Sequence, residues 1–146
     1  MFIKQLYHLL DTNSDNYEKT YDINGWVRTT RTSSSTFGFS NINDGSTPEG
    51  IQLVISTDYM NDELFERFFK EIKVGANIKC LGKVIESPAK GQKCEMQLET
   101  FEIIGSVDDS YPLSKSKMNL DTLRGHIHLR GRTSIFGSVF RIRSSL

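Results

Sequence analysis

Apolar residues along the chain change their spacing several times, and each change marks an element. Ile3, Leu6, Leu9 and Leu10 recur at helical intervals, which predicts a short amphipathic helix over residues 2–10. The polar stretch from Asp11 to Tyr17 gives way to alternation over residues 21–28. Ile23, Gly25 and Val27 fall on one side there, with Asn24, Trp26 and Arg28 on the other, the pattern of a strand. Residues 32–35 are a Ser-rich loop, and residues 37–42 read as a second strand. Residues 43–50 are a dense run of turn formers, and the apolar, β-branched residues 51–55 predict a third strand. From Asn61 the period shifts. Leu64, Phe65, Phe68, Phe69 and Ile72 give a helix one broad apolar face, and Asp62 and Glu63 suit its positive N-terminal end. Gly75 is expected to end that helix. Strands over 77–85 and 93–104 follow, separated by a loop over 86–92. In the last strand Cys94, Met96 and Leu98 alternate with Glu95, Gln97 and Glu99, and Glu95, Glu99 and Glu102 read as a solvated face.

The order is strand, strand, strand, helix, strand, strand. That is an all-β class with one inserted helix, laid out as a five-stranded OB-fold barrel, with a short N-terminal helix and a C-terminal linker and helix added. Barrel closure removes the edges that an open sheet would expose. A helix-capped open sandwich is the alternative arrangement; short strands and a single helix favour the barrel.

Length and composition narrow the classes. At 146 residues the chain accommodates one compact domain with an appendage. With 37% hydrophobic and 25% charged residues it is an ordinary globular chain, not collagen-like, disulfide-stapled or disordered. No run approaches the ~18 apolar residues of a spanning helix, and the start lacks a signal-peptide pattern. A cytoplasmic protein with no membrane partner is expected. Cys80 and Cys94 are too few for a disulfide framework and are expected to be inward-facing free thiols. His126-Ile127-His128 is weak as a metal site because a third ligand is missing. No phosphate loop and no Ser-His-Asp set is present, so neither a catalytic residue nor a cofactor of this chain is expected.

Net charge is zero, which argues against a generic polyanion binder, but the sum hides an asymmetry. Residues 1–111 carry 11 basic and 17 acidic side chains, whereas residues 112–146 carry 7 basic and 1 acidic. The basic set is Lys115, Lys117, Arg124, Arg130, Arg132, Arg141 and Arg143, against Asp121 alone. Such a tail suits phosphate or an acidic partner, or belongs with another domain that supplies the missing acids.

Strand parity points to one face. With Ile42 directed inward, Ser40 and Gly38 share its side, so Phe37 and Phe39 point outward, where a solvated strand normally carries polar groups. Ile51, Leu53 and Ile55 inward place Gln52 outward, nearly opposite Phe39 if the strands pair around Gly45-Ser46. Arg28 and Arg31 reach the same surface from the end of the first strand. An unpaired base needs a flat group to stack on, partners for its edge and cations for its phosphates. Packing of Phe37 or Phe39 under the Ser-rich loop or the N-terminal helix is the structural alternative. OB barrels also bind oligosaccharides and proteins.

Several ordered motifs resemble the N-terminal anticodon-binding domain of asparaginyl-tRNA synthetases. They are Gly25-Trp26-Val27-Arg28-Thr29-Thr30-Arg31, Phe39, Asn43-Asp44-Gly45-Ser46, Ile51-Gln52-Leu53-Val54-Ile55 and Gly82-Lys83-Val84-Ile85-Glu86-Ser87-Pro88-Ala89-Lys90-Gly91-Gln92. Tyr111-Pro112-Leu113 and His128-Leu129-Arg130-Gly131-Arg132-Thr133 extend the match. The Glu86 to Gln92 loop favours asparagine over the related aspartyl and lysyl families. The resemblance implies that Phe39 stacks on the middle anticodon base, a uridine, that Gln52 bonds its edge, and that Arg31 contacts that nucleotide or its backbone. It implies that the loop carrying Glu86, Lys90 and Gln92 helps read a flanking base. Thr30 and Thr32 depart from the family's usual Arg and Asp, and Gly125 and Gly131 from its usual Glu and Pro.

The resemblance also implies an organisation: residues 1–18 as N-terminal helix and connector, 19–106 as the OB-fold anticodon-binding domain, and 107–146 as linker and start of a class II catalytic domain. Ile135, Phe136, Val139, Phe140 and Ile142 form a helical apolar stripe in that last part. The family's ATP and amino-acid sites have no counterpart here, so the chain alone is expected to bind RNA and not to activate asparagine. The complete family enzyme uses ATP and magnesium and forms a homodimer. Implied partners are asparagine tRNA and a catalytic domain or subunit, in cis or in trans. The other class is a free-standing barrel that binds a protein or single-stranded nucleic acid without a synthetase role.

Overall fold

A computed structural model gives the structure of residues 1–114 and 118–146. Lys115 and Lys117 of the basic tail lie outside the described residues. The chain divides into two compact units, Met1–Asp109 and Ser110–Leu146.

In the first unit the strands β1 (Lys19–Thr32), β2 (Phe37–Asn43), β3 (Ile51–Ser56), β4 (Asn77–Glu86) and β5 (Cys94–Gly105) close into a barrel in the order β1-β2-β3-β5-β4. All neighbours are antiparallel except β3 and β5. This is the expected OB layout. β1 runs well past Arg28, because its first half pairs with β4 and its second half with β2. The polar run Thr29-Thr30-Arg31-Thr32 has no hydrophobic alternation to announce a strand; its partner β2 holds it there.

Inward residues of every strand, among them Ile23, Ile42, Leu53, Ile78, Met96 and Leu98, fill the barrel, and each is fully buried. Burying such a side chain stabilises the fold by about 1.5–3 kcal/mol. Cys80 and Cys94 belong to this interior as free thiols. Burial pushes the Cys94 thiol up to about 12 and Cys80 higher still, so neither is reactive near neutrality.

Two helices close the mouths. α1 (Ile3–Thr12) sets Ile3, Leu6 and Leu10 into one end. Its first amides are capped from the β2–β3 loop: Ile3 N–H donates to Asp44 Oδ2 at 2.7 Å and Lys4 N–H to Ser46 Oγ at 3.0 Å. α2 (Asp62–Glu71) sets Phe65 and Phe68 into the other end, with the Asn61 side chain accepting from Leu64 N–H. The helix stops at Ile72, which turns extended. Gly75 does not end it as expected; it makes a separate turn (φ +96°) whose amide donates to Val27 O.

The second unit holds a 3-10 turn (Pro112–Ser114), α3 (Leu120–Gly125), a second 3-10 turn (Arg130–Arg132) and α4 (Ser134–Ser145). The Arg130 guanidinium lies 5.3 Å from the Phe136 ring centroid. Of the apolar stripe on α4, Ile135, Val139, Phe140 and Ile142 are exposed. α3 carries too few apolar positions for its periodicity to show in sequence. No helix among the described residues is long and apolar enough to cross a membrane.

Candidate nucleic-acid interface

The outer wall over β1, β2, β3 and β5 carries the residues that parity singled out, and a bulge arranges them. Val27 pairs with Ile42 and Thr29 with Asn41, so Arg28 is an extra residue in β1. Strict alternation from the buried Val27 would send Thr29 and Arg31 inward. The extra residue resets the parity, and Thr29 and Arg31 emerge on the outside opposite Asn41 and Phe39. Arg28 itself is half-buried at the bulge.

Two rows cross the wall. One runs Arg31, Phe39, Val54, Gln97, each the register partner of the next. The other runs Thr29, Asn41, Gln52, Glu95. Gln52 is therefore opposite Asn41, and Phe39 is opposite Val54. The expected Phe39–Gln52 pair is a diagonal one, because the β2–β3 loop is long and the ladder starts at Ile42–Ile51. Diagonal neighbours still lie within reach of long side chains, roughly 7–8 Å apart.

Phe37 and Phe39 are half-buried on this face and meet edge to face at 4.8 Å. The Arg31 guanidinium carbon lies 4.9 Å from the Phe39 ring centroid, a cation–π contact on an exposed side chain. Val54 is buried yet lies outside the core cluster, covered on the outer wall between Phe39 and Gln97. The wall thus has an apolar floor and an amide rim.

The loop after β4 folds back on itself. Ser87 Oγ accepts from Ala89 N–H at 3.2 Å, Gly91 turns at φ +87°, and Gln92 Nε2 donates to Cys94 O at 3.1 Å. Lys90 is exposed at its tip. Glu86 shares the parity of Val84 and is exposed at the end of β4 opposite Cys94, rather than in the Gln52 row. Glu95 takes that place.

Glu95 corrects the reading of a solvated acidic face: Glu99 and Glu102 are exposed, but Glu95 is only 8% exposed. Ser87 Oγ donates to its Oε2 at 3.4 Å, which ties the β4–β5 loop to the Gln52 row. Burial raises the Glu95 carboxyl above its ordinary value, partly offset by the Ser87 bond. The native state therefore binds more protons than the unfolded chain, and this group's contribution to stability falls as pH rises from the usual carboxylate range. Glu95→Gln is expected to raise the melting temperature at pH 7 and to leave it unchanged near pH 4. A gain equal at both pH values, measured by thermal melting, would contradict the buried charge.

Sequence reasoning missed Asn41, Glu95, Gln97 and Tyr59, whose hydroxyl accepts from Gln97 Nε2 at 2.9 Å. Glu95 and Gln97 join the wall through the barrel register and Tyr59 through its bond to Gln97, whereas Asn41 shares the outward parity of Phe39. Among the described residues, no group of three His, Cys, Asp or Glu is placed to hold a metal ion.

Comparison with known proteins agrees with this geometry. Residues 21–104 match the family model described as an OB-fold nucleic acid binding domain. The chain is 43% identical over 125 residues to an asparagine–tRNA ligase of Borrelia garinii subsp. bavariensis, covering 85% of this chain and 26% of that protein. It is 42% identical over 134 residues to that of Parabacteroides distasonis, covering 91% and 28%. The chain thus spans about a quarter of the length of these relatives. Among solved structures, asparaginyl-tRNA synthetase from Pyrococcus horikoshii complexed with asparaginyl-adenylate superposes with a TM-score of 0.76 at 19% identity, over 99% of this chain and 31% of that one. Aspartyl tRNA synthetase from Entamoeba histolytica gives 0.71 at 18% identity, over 88% and 32%. The barrel and the sequence relatives agree: the chain belongs to the OB-fold nucleic acid binding domain family, in the anticodon-binding form that matches asparagine–tRNA ligases.

Proposed function

We propose that this chain recognises the anticodon of asparagine tRNA as part of an asparagine–tRNA ligase. The observation that carries the reading is the half-exposed Phe39 ring on the outer wall, with the Arg31 cation above it and the Gln52 and Asn41 amides beside it. The middle anticodon base, a uridine, stacks on Phe39, and Gln52 bonds its edge. Arg31 covers the ring in the unbound chain. Its exposed cation–π contact is worth about 0.5–1 kcal/mol, against about 1–3 kcal/mol for a stacked base, so the base displaces it toward the phosphate. Arg28 and Phe37 support this nucleotide from the bulge and from the ring edge. The loop carrying Glu86, Lys90 and Gln92 meets a flanking nucleotide.

In this reading residues 19–106 form the recognition domain, closed by the helix within 1–18. Residues 107–146 are the linker and the beginning of a catalytic domain whose remainder acts in cis or in trans. ATP and magnesium serve the complete enzyme, a cytoplasmic homodimer.

Filter binding of asparagine tRNA tests the reading. Changing the middle anticodon uridine to cytidine is expected to weaken binding by about tenfold, because the exchanged edge leaves a desolvated amide unpaired. Equal retention of both transcripts would defeat it, and would favour a free-standing barrel without a synthetase role.

A further inference from the structure

The outer wall carries a third aromatic, beyond Phe37 and Phe39, that the anticodon reading has not used. Tyr59 lies in the connection between β3 and α2 and is 37% exposed. Its backbone is held firmly: Tyr59 and Met60 N–H both donate to Ser56 O, at 3.0 and 3.1 Å, and Asp58 N–H donates to Ser56 Oγ at 3.1 Å. Met60 is buried and anchors the turn. The phenol reaches across to β5, where Gln97 Nε2 donates to it at 2.9 Å. Gln97 is the register partner of Val54, itself the partner of Phe39. Two strand spacings, about 10 Å, separate the Phe39 and Gln97 positions.

Tyr59 is partly exposed and is tied laterally to the wall by an amide. Its hydroxyl accepts from Gln97 and so retains its own proton to donate. We infer that Tyr59, positioned by Gln97, is a second stacking platform, taking the base that flanks the one on Phe39. The inference rests on the anticodon reading and extends it by one nucleotide. Base–aromatic stacking tolerates any base, so Tyr59 contributes affinity, and its hydroxyl adds only a modest edge or phosphate contact. Val54 forms the apolar floor between the two rings.

Binding of asparagine tRNA to the full chain, measured with paired variants, tests this. Tyr59→Ala is expected to weaken binding by about tenfold, whereas Tyr59→Phe stays within about threefold of the parent. Gln97→Ala, which keeps the ring but frees it, is expected to cost about threefold. An abasic nucleotide at one of the two positions flanking the middle anticodon base should weaken the parent protein and leave Tyr59→Ala unaffected. Tyr59→Leu retains apolar bulk at the turn without a flat face, and it is expected to behave as Tyr59→Ala does, which guards against a folding defect. If both Tyr59→Ala and Tyr59→Leu bind within twofold of the parent while Phe39→Ala loses tenfold, the second platform is wrong and the anticodon reading stands. If Phe39→Ala is neutral as well, the anticodon reading itself fails.

Discussion

Phe39→Ala is expected to weaken asparagine tRNA binding by at least about tenfold and to shift the melting temperature by no more than a few degrees. The two effects separate because of where the ring lies. Phe39 is outside the core cluster, half-buried on the outer wall against Phe37 and Val54, so truncating it opens no cavity in the barrel. It does remove the surface on which a base would lie, worth about 1–3 kcal/mol, or fivefold to beyond a hundredfold in affinity. Phe39→Trp keeps a flat face and should retain most of the affinity. Unchanged filter binding by the alanine variant would show that the wall is not the RNA surface.

How much of this wall was legible in the sequence depended on range. Ile3, Leu6 and Leu10, the α2 stripe and the five strands follow from local periodicity, and the structure has them close to the expected bounds except that β1 continues to Thr32. The outward direction of Phe39 and Gln52 also follows from parity within a single strand. Relations between strands did not. The alternation that begins at Ile23 would turn Arg31 inward; only the extra residue at Arg28, defined by pairing with β2, brings it out. Gln52 faces Asn41 rather than Phe39 because a loop's length, not its turn residues, sets the register. Glu95 reads as solvent-facing along β5 and is buried by neighbours from β3 and the β4–β5 loop. The Tyr59–Gln97 contact joins residues 38 positions apart, a distance over which one sequence carries no periodic signal.

The largest loss of stability is expected at a glycine that starts the strand carrying Gln52. Gly50 has φ +73°, and a Cβ built there would lie 2.2 Å from Ile42 O and 3.1 Å from Asn41 Oδ1. Its amide donates to Thr47 Oγ1 at 3.1 Å, and its carbonyl accepts the Tyr7 hydroxyl, so the backbone is held on both sides and cannot retreat. Left-handed backbone costs a non-glycine residue about 1–2 kcal/mol, and forcing a methyl into a packed site adds about 1–3 kcal/mol. Gly50→Ala is therefore expected to cost about 3–4 kcal/mol, close to a 10 °C fall in melting temperature for a chain of this size. Gly91 supplies the internal comparison: it also has positive φ, at +87°, but nothing lies within 4 Å of its Cβ position. Gly91→Ala should show the backbone penalty alone, a fall of roughly 3–5 °C. Equal shifts in the two variants, followed by thermal melting, would show that contact with the Ile42 carbonyl does not fix the residue at position 50. A much larger shift at Gly50 would tie the start of β3, and with it the placement of Gln52, to that one close approach of backbone to backbone.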